Sequence, residues 1–131
     1  MLGPAAAEYA LDGTVAVRRG NSSDNASPRG TYQTREGKWV ALSASTPASA
    51  AALFAGLGLS ELLADPRFAT NDARVAHNDL VDAALSRAIG SRTLDEMVRL
   101  FETANLTASP VYDSADIAKD PHVTGRGILV D

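Results

Sequence analysis

Polar and apolar residues change their period several times along the chain, and each change marks an element. Residues 4–17 (PAAAEYALDGTVAV) begin as good helix formers, with Pro4 suited to a first turn and Ala5, Tyr9 and Ala10 on one side, until Gly13 weakens the pattern. Residues 18–30 (RRGNSSDNASPRG) are rich in Gly, Ser, Asn and Pro, hold little apolar content to bury, and read as a linker or mobile loop. Thr31 to Thr34 and Lys38 to Ser43 are two strand-like runs around Arg35-Glu36-Gly37, where Gly37 can supply the positive φ of a tight turn; the pair predicts a hairpin.

Helical spacing follows. Thr46 is an oxygen-bearing cap before Pro47, and Ala50, Leu53, Phe54 and Leu57 fall on one face until Gly58. Ser60 is placed to cap a short turn through Leu62 and Leu63 that Asp65-Pro66 stops. From Asn71 to Ile89 the apolar positions Val81, Leu85, Ala88 and Ile89 predict a helix with Gly90 as its stop. Thr93 and Glu96 form a capping box for a helix whose stripe is Leu94, Met97, Val98 and Phe101. Ala108 to Tyr112 is extended, because Pro110 disfavours helix in the residue before it. Asp113 starts a turn carrying Ile117, closed by Asp120-Pro121, and Gly127 to Val130 reads as a final strand. The sum is an α+β domain with a small antiparallel sheet of two to three strands and three to four helices.

Composition narrows the function. A length of 131 residues fits one domain, and 45% hydrophobic against 21% charged residues is a globular balance with no run long enough to cross a bilayer. Twelve basic and sixteen acidic residues give a net charge of −4, with no concentrated basic footprint for nucleic acid. Cysteine is absent, which excludes disulfides and thiolate sites, and the start Met1-Leu2-Gly3 lacks the shape of a signal peptide, so an intracellular, cytoplasmic protein is expected.

Candidate chemistry is sparse. No phosphate-binding glycine motif and no nucleophile elbow occur. His77 reads as a solvated residue on the polar side of a helix, and His122 as a turn residue held by a local hydrogen bond. The pairs Asp95/Glu96 and Asp113/Asp116 sit in first turns, where carboxylates favour the helix dipole. Two polar loops stand out: Asn21, Ser22 and Ser23 before the hairpin, and Ser45 and Thr46 between its second strand and a helix start that can present free amides. Ordinary capping is the favoured explanation of the second loop.

Four segments, in order, resemble the family III CoA-transferases, the group that includes formyl-CoA transferase, carnitine CoA-transferase (carnitine dehydratase) and α-methylacyl-CoA racemase. They are Gly30 to Thr34 with Gly37 to Ser43, Ala64-Asp65-Pro66-Arg67-Phe68-Ala69-Thr70-Asn71 with Ala73 to Val75, Leu106 to Val111, and Asp120-Pro121-His122-Val123 with Arg126-Gly127. Asn105 and Ser109 stand where the family usually has glycines. The resemblance covers the family's smaller domain, residues 20–131, and implies that residues 1–19 are helix and linker from a large domain. Ile128 to Val130 would be the strand by which the chain leaves.

It further implies an enzyme moving CoA from an acyl-CoA to a carboxylic acid through an aspartate of the large domain. That residue would form a mixed anhydride and then an aspartyl thioester. No segment here matches it, so no catalytic residue is carried over and this chain alone is expected to be inactive. Its implied work is a lid, with Asn21, Ser22, Ser23, Ser45 and Thr46 as substrate-binding residues. Coenzyme A thioester is substrate, with no tightly bound cofactor and no metal. Full-length members are interlocked homodimers; this chain is expected to be a monomer or an edge-strand dimer. A racemase-like fragment is the alternative, disfavoured because Ser45-Thr46-Pro47 offers no carboxylate; a non-catalytic subunit or interaction module is another.

Overall fold

The computed structural model describes residues 3–128. Its first element, α1 (Gly3–Asp12), ends where Gly13 takes φ +78°, the left-handed conformation that glycine adopts without strain. The helix buries none of its residues. The hairpin forms as expected, with β1 (Arg29–Gln33) and β2 (Trp39–Ser43) antiparallel and Tyr32 opposite Val40. Alternation decides its faces: Tyr32, Val40 and Leu42 are buried, while Thr31, Gln33 and Trp39 point the other way and are exposed.

A third strand, β3 (Ala108–Val111), joins the outer side of β2 with Trp39 opposite Val111, giving the order β1-β2-β3. This is the segment whose Pro110 predicted extended backbone. The expected final strand has a different outcome: Gly127 and Ile128 lie in no strand, and Leu129 and Val130 fall outside the described residues. Asn105, leading into β3, has φ +49°. It keeps the left-handed backbone that suits a glycine, which asparagine tolerates better than most residues.

The remaining helices are short pieces: α2 (Pro47–Leu57), α3 (Ser60–Ala64), a 3-10 turn (Pro66–Phe68), α4 (Asn71–Ala76), α5 (Asn78–Gly90), α6 (Leu94–Thr103), α7 (Ser114–Lys119) and α8 (Pro121–Gly125). Several ends match the sequence reading. The Thr46 hydroxyl accepts the Ser49 amide, Gly58 closes α2 at φ +75°, and Thr93 and Glu96 form the capping box of α6. Asp113 and Asp116 form a second box on α7.

Other ends differ. Ser60 is inside α3, whose cap position is Leu59 with no side-chain bond. The predicted helix from Asn71 to Ile89 breaks at His77 into α4 and α5, and α5 runs through Gly90 to a cap at Ser91. Asp120-Pro121 closes α7 and also opens α8, the Asp120 carboxylate accepting the His122 and Val123 amides.

One core results. Tyr32, Val40 and Leu42 from the sheet meet Leu53, Phe54 and Leu57 of α2, Val81, Leu85 and Ile89 of α5, Met97 and Phe101 of α6, and Phe68. Burial of such aliphatic and aromatic side chains contributes about 1.5–3 kcal/mol each before conformational entropy is counted. All the helices of this core lie against one face of the sheet, which leaves Trp39, 45% exposed, on the other.

Candidate functional site

The segments that carry the two polar loops are joined through a buried arginine. Arg74, on α4, is 1% exposed and has no carboxylate partner among the described residues. Its three nitrogens donate to three backbone carbonyls from separate segments. Nε reaches Ser27 O at 2.7 Å, Nη1 reaches Phe68 O at 3.0 Å, and Nη2 reaches Ser45 O at 2.7 Å. A planar guanidinium spreads its donors over three nitrogens in fixed directions, so it brackets three separated carbonyls, whereas an ammonium would have to reach all of them from a single atom. Burial pushes the Arg74 pKa down, though an arginine starts so high that it stays charged.

The loop before β1, whose sequence offers little to bury, is tied to the rest of the fold from Asn21 to Pro28. Ala26, Ser27 and Pro28 are buried, and the Ser27–Pro28 peptide is cis. The Ser27 amide donates to Asn71 Oδ1 at 3.1 Å, and its hydroxyl to Asn78 Oδ1 at 2.6 Å. Asn71 Nδ2 donates to Asn25 O at 3.0 Å. Polar side chains replace the apolar content that the sequence of this loop lacks. Two asparagines on α4 and α5 supply them.

Within this frame Asn21 lies against β1, where its side-chain amide is occupied by Thr31 through three bonds. Ser22 Oγ donates to Asp82 Oδ2 at 3.2 Å, and Ser23 Oγ donates to Asn25 Oδ1 at 2.7 Å. Asp82 is a hub: it also accepts from the buried Tyr32 hydroxyl at 2.6 Å and from Asn78 Nδ2 at 3.2 Å, one helical turn before it. Burial, reinforced by the hydrogen bond to Asp82 and its negative charge, raises the Tyr32 pKa well above the ordinary phenol value.

Ser45 contributes its carbonyl to Arg74, and its hydroxyl has no hydrogen bond among the described residues. Thr46 is engaged as the cap of α2, with Oγ1 at 3.2 Å from the Ser49 amide and 2.7 Å from the Ser49 hydroxyl. Capping is therefore the work of Thr46, while the Ser45 hydroxyl is uncommitted among the described residues. The five residues form two groups. Ser22 and Ser23 border a cleft of about 380 Å³ with Arg18, Arg19 and the α4–α5 junction. Asn21 borders another, about 630 Å³, along the edge of β1, and neither cleft includes Ser45 or Thr46. The link between the groups is indirect: the Ala44 amide donates to Pro28 O at 2.9 Å, and Arg74 joins Ser45 to Ser27.

His77 is not a solvated face residue. It sits at the α4–α5 break, partly buried, with Nδ1 at 2.9 Å from Ala73 O and its ring edge-on to Phe68 at 6.3 Å. Among the described residues no cluster of three or more His, Asp or Glu is arranged to hold a metal, and no helix is long and apolar enough to cross a membrane.

The small antiparallel sheet, the one-sided helical cover and the bracketed loops define an α+β unit that known proteins share. The model of CoA-transferase family III matches residues 1–131, and the chain belongs to that family. It is 29% identical over 123 residues to succinyl-CoA–D-citramalate CoA-transferase of Chloroflexus aurantiacus, covering 94% of this chain and 31% of that protein. It is 34% identical over 124 residues to the beta subunit of succinyl-CoA–L-malate CoA-transferase of the same organism, covering 93% and 30%. A CAIB/BAIF family protein from Brucella suis has a crystal structure that superposes with TM-score 0.84 at 29% identity, covering 99% of this chain and 34% of that one. The chain thus spans about a third of the length of these relatives.

Proposed function

We propose that residues 20–131 are the small domain of an enzyme that moves CoA between an acyl-CoA and a carboxylic acid, closing as a lid over the reacting groups. Residues 1–19 are then helix and linker leading from a larger domain. Asn21, Ser22, Ser23, Ser45 and Thr46 are the residues of this chain that meet the substrate, in a cytoplasmic enzyme that pairs as an interlocked homodimer. The observation that carries the reading is family membership over the whole chain, combined with relatives about three times longer whose names state CoA transfer.

The amino-terminal segment supports it. Tyr9, Leu11, Val15 and Val17 are each more than 60% exposed, a run of apolar side chains with no cover within residues 3–128. Such a run suits packing on another body of protein. A lid contributes to transfer by excluding water from reactive acyl intermediates, which hydrolyse when wetted.

The pure chain, incubated with succinyl-CoA and a dicarboxylic acid acceptor, is expected to release no new CoA thioester by chromatographic assay. Turnover by the chain alone would contradict its assignment as a lid without the reacting carboxylate.

A further inference from the structure

We propose that Arg74 is a positioning residue: it sets the backbone of the Ser45-Thr46 loop relative to the loop that ends at Ser27, and so fixes the surface offered to the thioester substrate. This rests on the reading that those loops meet CoA. The physical argument is independent of that reading. A buried guanidinium loses hydration that only good hydrogen bonds replace, so it has strict geometric demands. Here the replacement consists of carbonyls from three otherwise separate segments, at Ser27, Ser45 and Phe68. If any one loop shifts, a buried N–H loses its partner. Each loop therefore reports on the other two.

Packing alone does not account for this arginine. Ala50, Phe54, Leu63 and Phe68 line a cavity with it, and an apolar residue could occupy its volume without the desolvation cost. What an apolar side chain cannot do is hold three carbonyls that face inward. Ser45 O, in particular, follows Ala44, whose amide is already joined to Pro28 O, so the two loops are clamped at consecutive residues. The hydroxyl of Ser45 is left to project from a fixed backbone.

Hydrogen exchange on the full 131-residue chain tests this, with Arg74→Met and Arg74→Lys compared with the parent. The amides of Ala44 and Ser49, bonded to Pro28 O and to the Thr46 hydroxyl, report on the loops; the amide of Met97, bonded to Thr93 O in α6, reports on the domain as a whole. Arg74→Met is expected to speed exchange at Ala44 and Ser49 at least tenfold more than at Met97, with Arg74→Lys between it and the parent. Equal acceleration at all three amides, no acceleration at any, or failure of both variants to fold would overturn the assignment.

Titration with coenzyme A, followed calorimetrically on the same proteins, separates the two layers. If the parent binds, Arg74→Lys should bind at least several-fold more weakly, and unchanged affinity overturns the positioning role. If the parent does not bind, the substrate reading of the loops fails, while the exchange result still decides whether Arg74 sets their geometry.

Discussion

Asn21 imitates a neighbouring strand for Thr31. The Thr31 amide and hydroxyl donate to Asn21 Oδ1 at 2.8 and 2.9 Å, and Asn21 Nδ2 donates to Thr31 O at 2.8 Å. One side-chain amide thereby satisfies both outward backbone groups of an edge-strand residue. An open edge of that kind is a template for pairing with another chain. The other edge is blunted differently: β3 has four residues, and Pro110 among them has no N–H to offer.

Removing the amide should open the first edge. Asn21→Ala is expected to lower stability by about 1 kcal/mol in urea unfolding, the usual net worth of such bonds. It should also raise the weight-average mass in sedimentation as concentration increases. Asn21→Asp keeps the acceptor for Thr31 but sets a carboxylate oxygen against its carbonyl, so its stability should fall below the parent's as well. An Asn21→Ala protein as stable and as monomeric as the parent would show that the contact has no protective role. The same occupancy limits Asn21 as a substrate contact, because a single Nδ2–H is left uncommitted.

Tyr32 and Asp82 give a pH signature. The folded state raises the Tyr32 pKa above its ordinary value of 10.0, so the native protein holds this proton more tightly than the unfolded chain does. Stability from this source is complete below pH 10 and declines as pH rises above it, because the unfolded phenol then ionises first. Thermal unfolding followed from pH 8 to 11 should show that decline in the parent and a weaker one in Tyr32→Phe. Tyr32→Phe should also cost about 1–3 kcal/mol at neutral pH, as expected for a lost hydrogen bond to a charged group together with the partner it leaves behind.

Asn105 holds φ +49° without the freedom of glycine. Asn105→Gly should therefore be neutral or stabilising by up to about 1 kcal/mol, and Asn105→Ala destabilising by about 1 kcal/mol, since alanine has neither the conformational freedom nor a polar side chain suited to the left-handed region. Chemical denaturation of the pair decides; a stability order with alanine above glycine would mean that this backbone geometry is not what the position selects.

These cases mark how far the sequence could be read. The hairpin, the Thr46-Pro47 start of α2 and the Thr93/Glu96 box were legible because their signals are complete within a few residues. The burial of Ala26 to Pro28 has no signal in the 18–30 stretch because the polar groups that hold Ser27 come from Asn71, Arg74 and Asn78, more than forty residues away. Arg74 itself gives no local hint: its neighbours Asp72, Ala73 and Val75 are those of an ordinary polar helix. The break at His77 was equally silent, since no glycine or proline marks it; there the His77 ring stands edge-on to Phe68, nine residues earlier. The third strand was legible as extended backbone at Pro110, but its pairing with β2 through Val111 and Trp39 joins residues some seventy positions apart and has no local signal.

Amide chemical-shift mapping of the chain during titration with coenzyme A locates the surface that meets the thioester substrate. Saturable shifts are expected at residues 21–23 and 44–46, with little change along the exposed sheet face around Trp39 and Val111. Shifts centred on that face, or none at millimolar ligand, would contradict that placement.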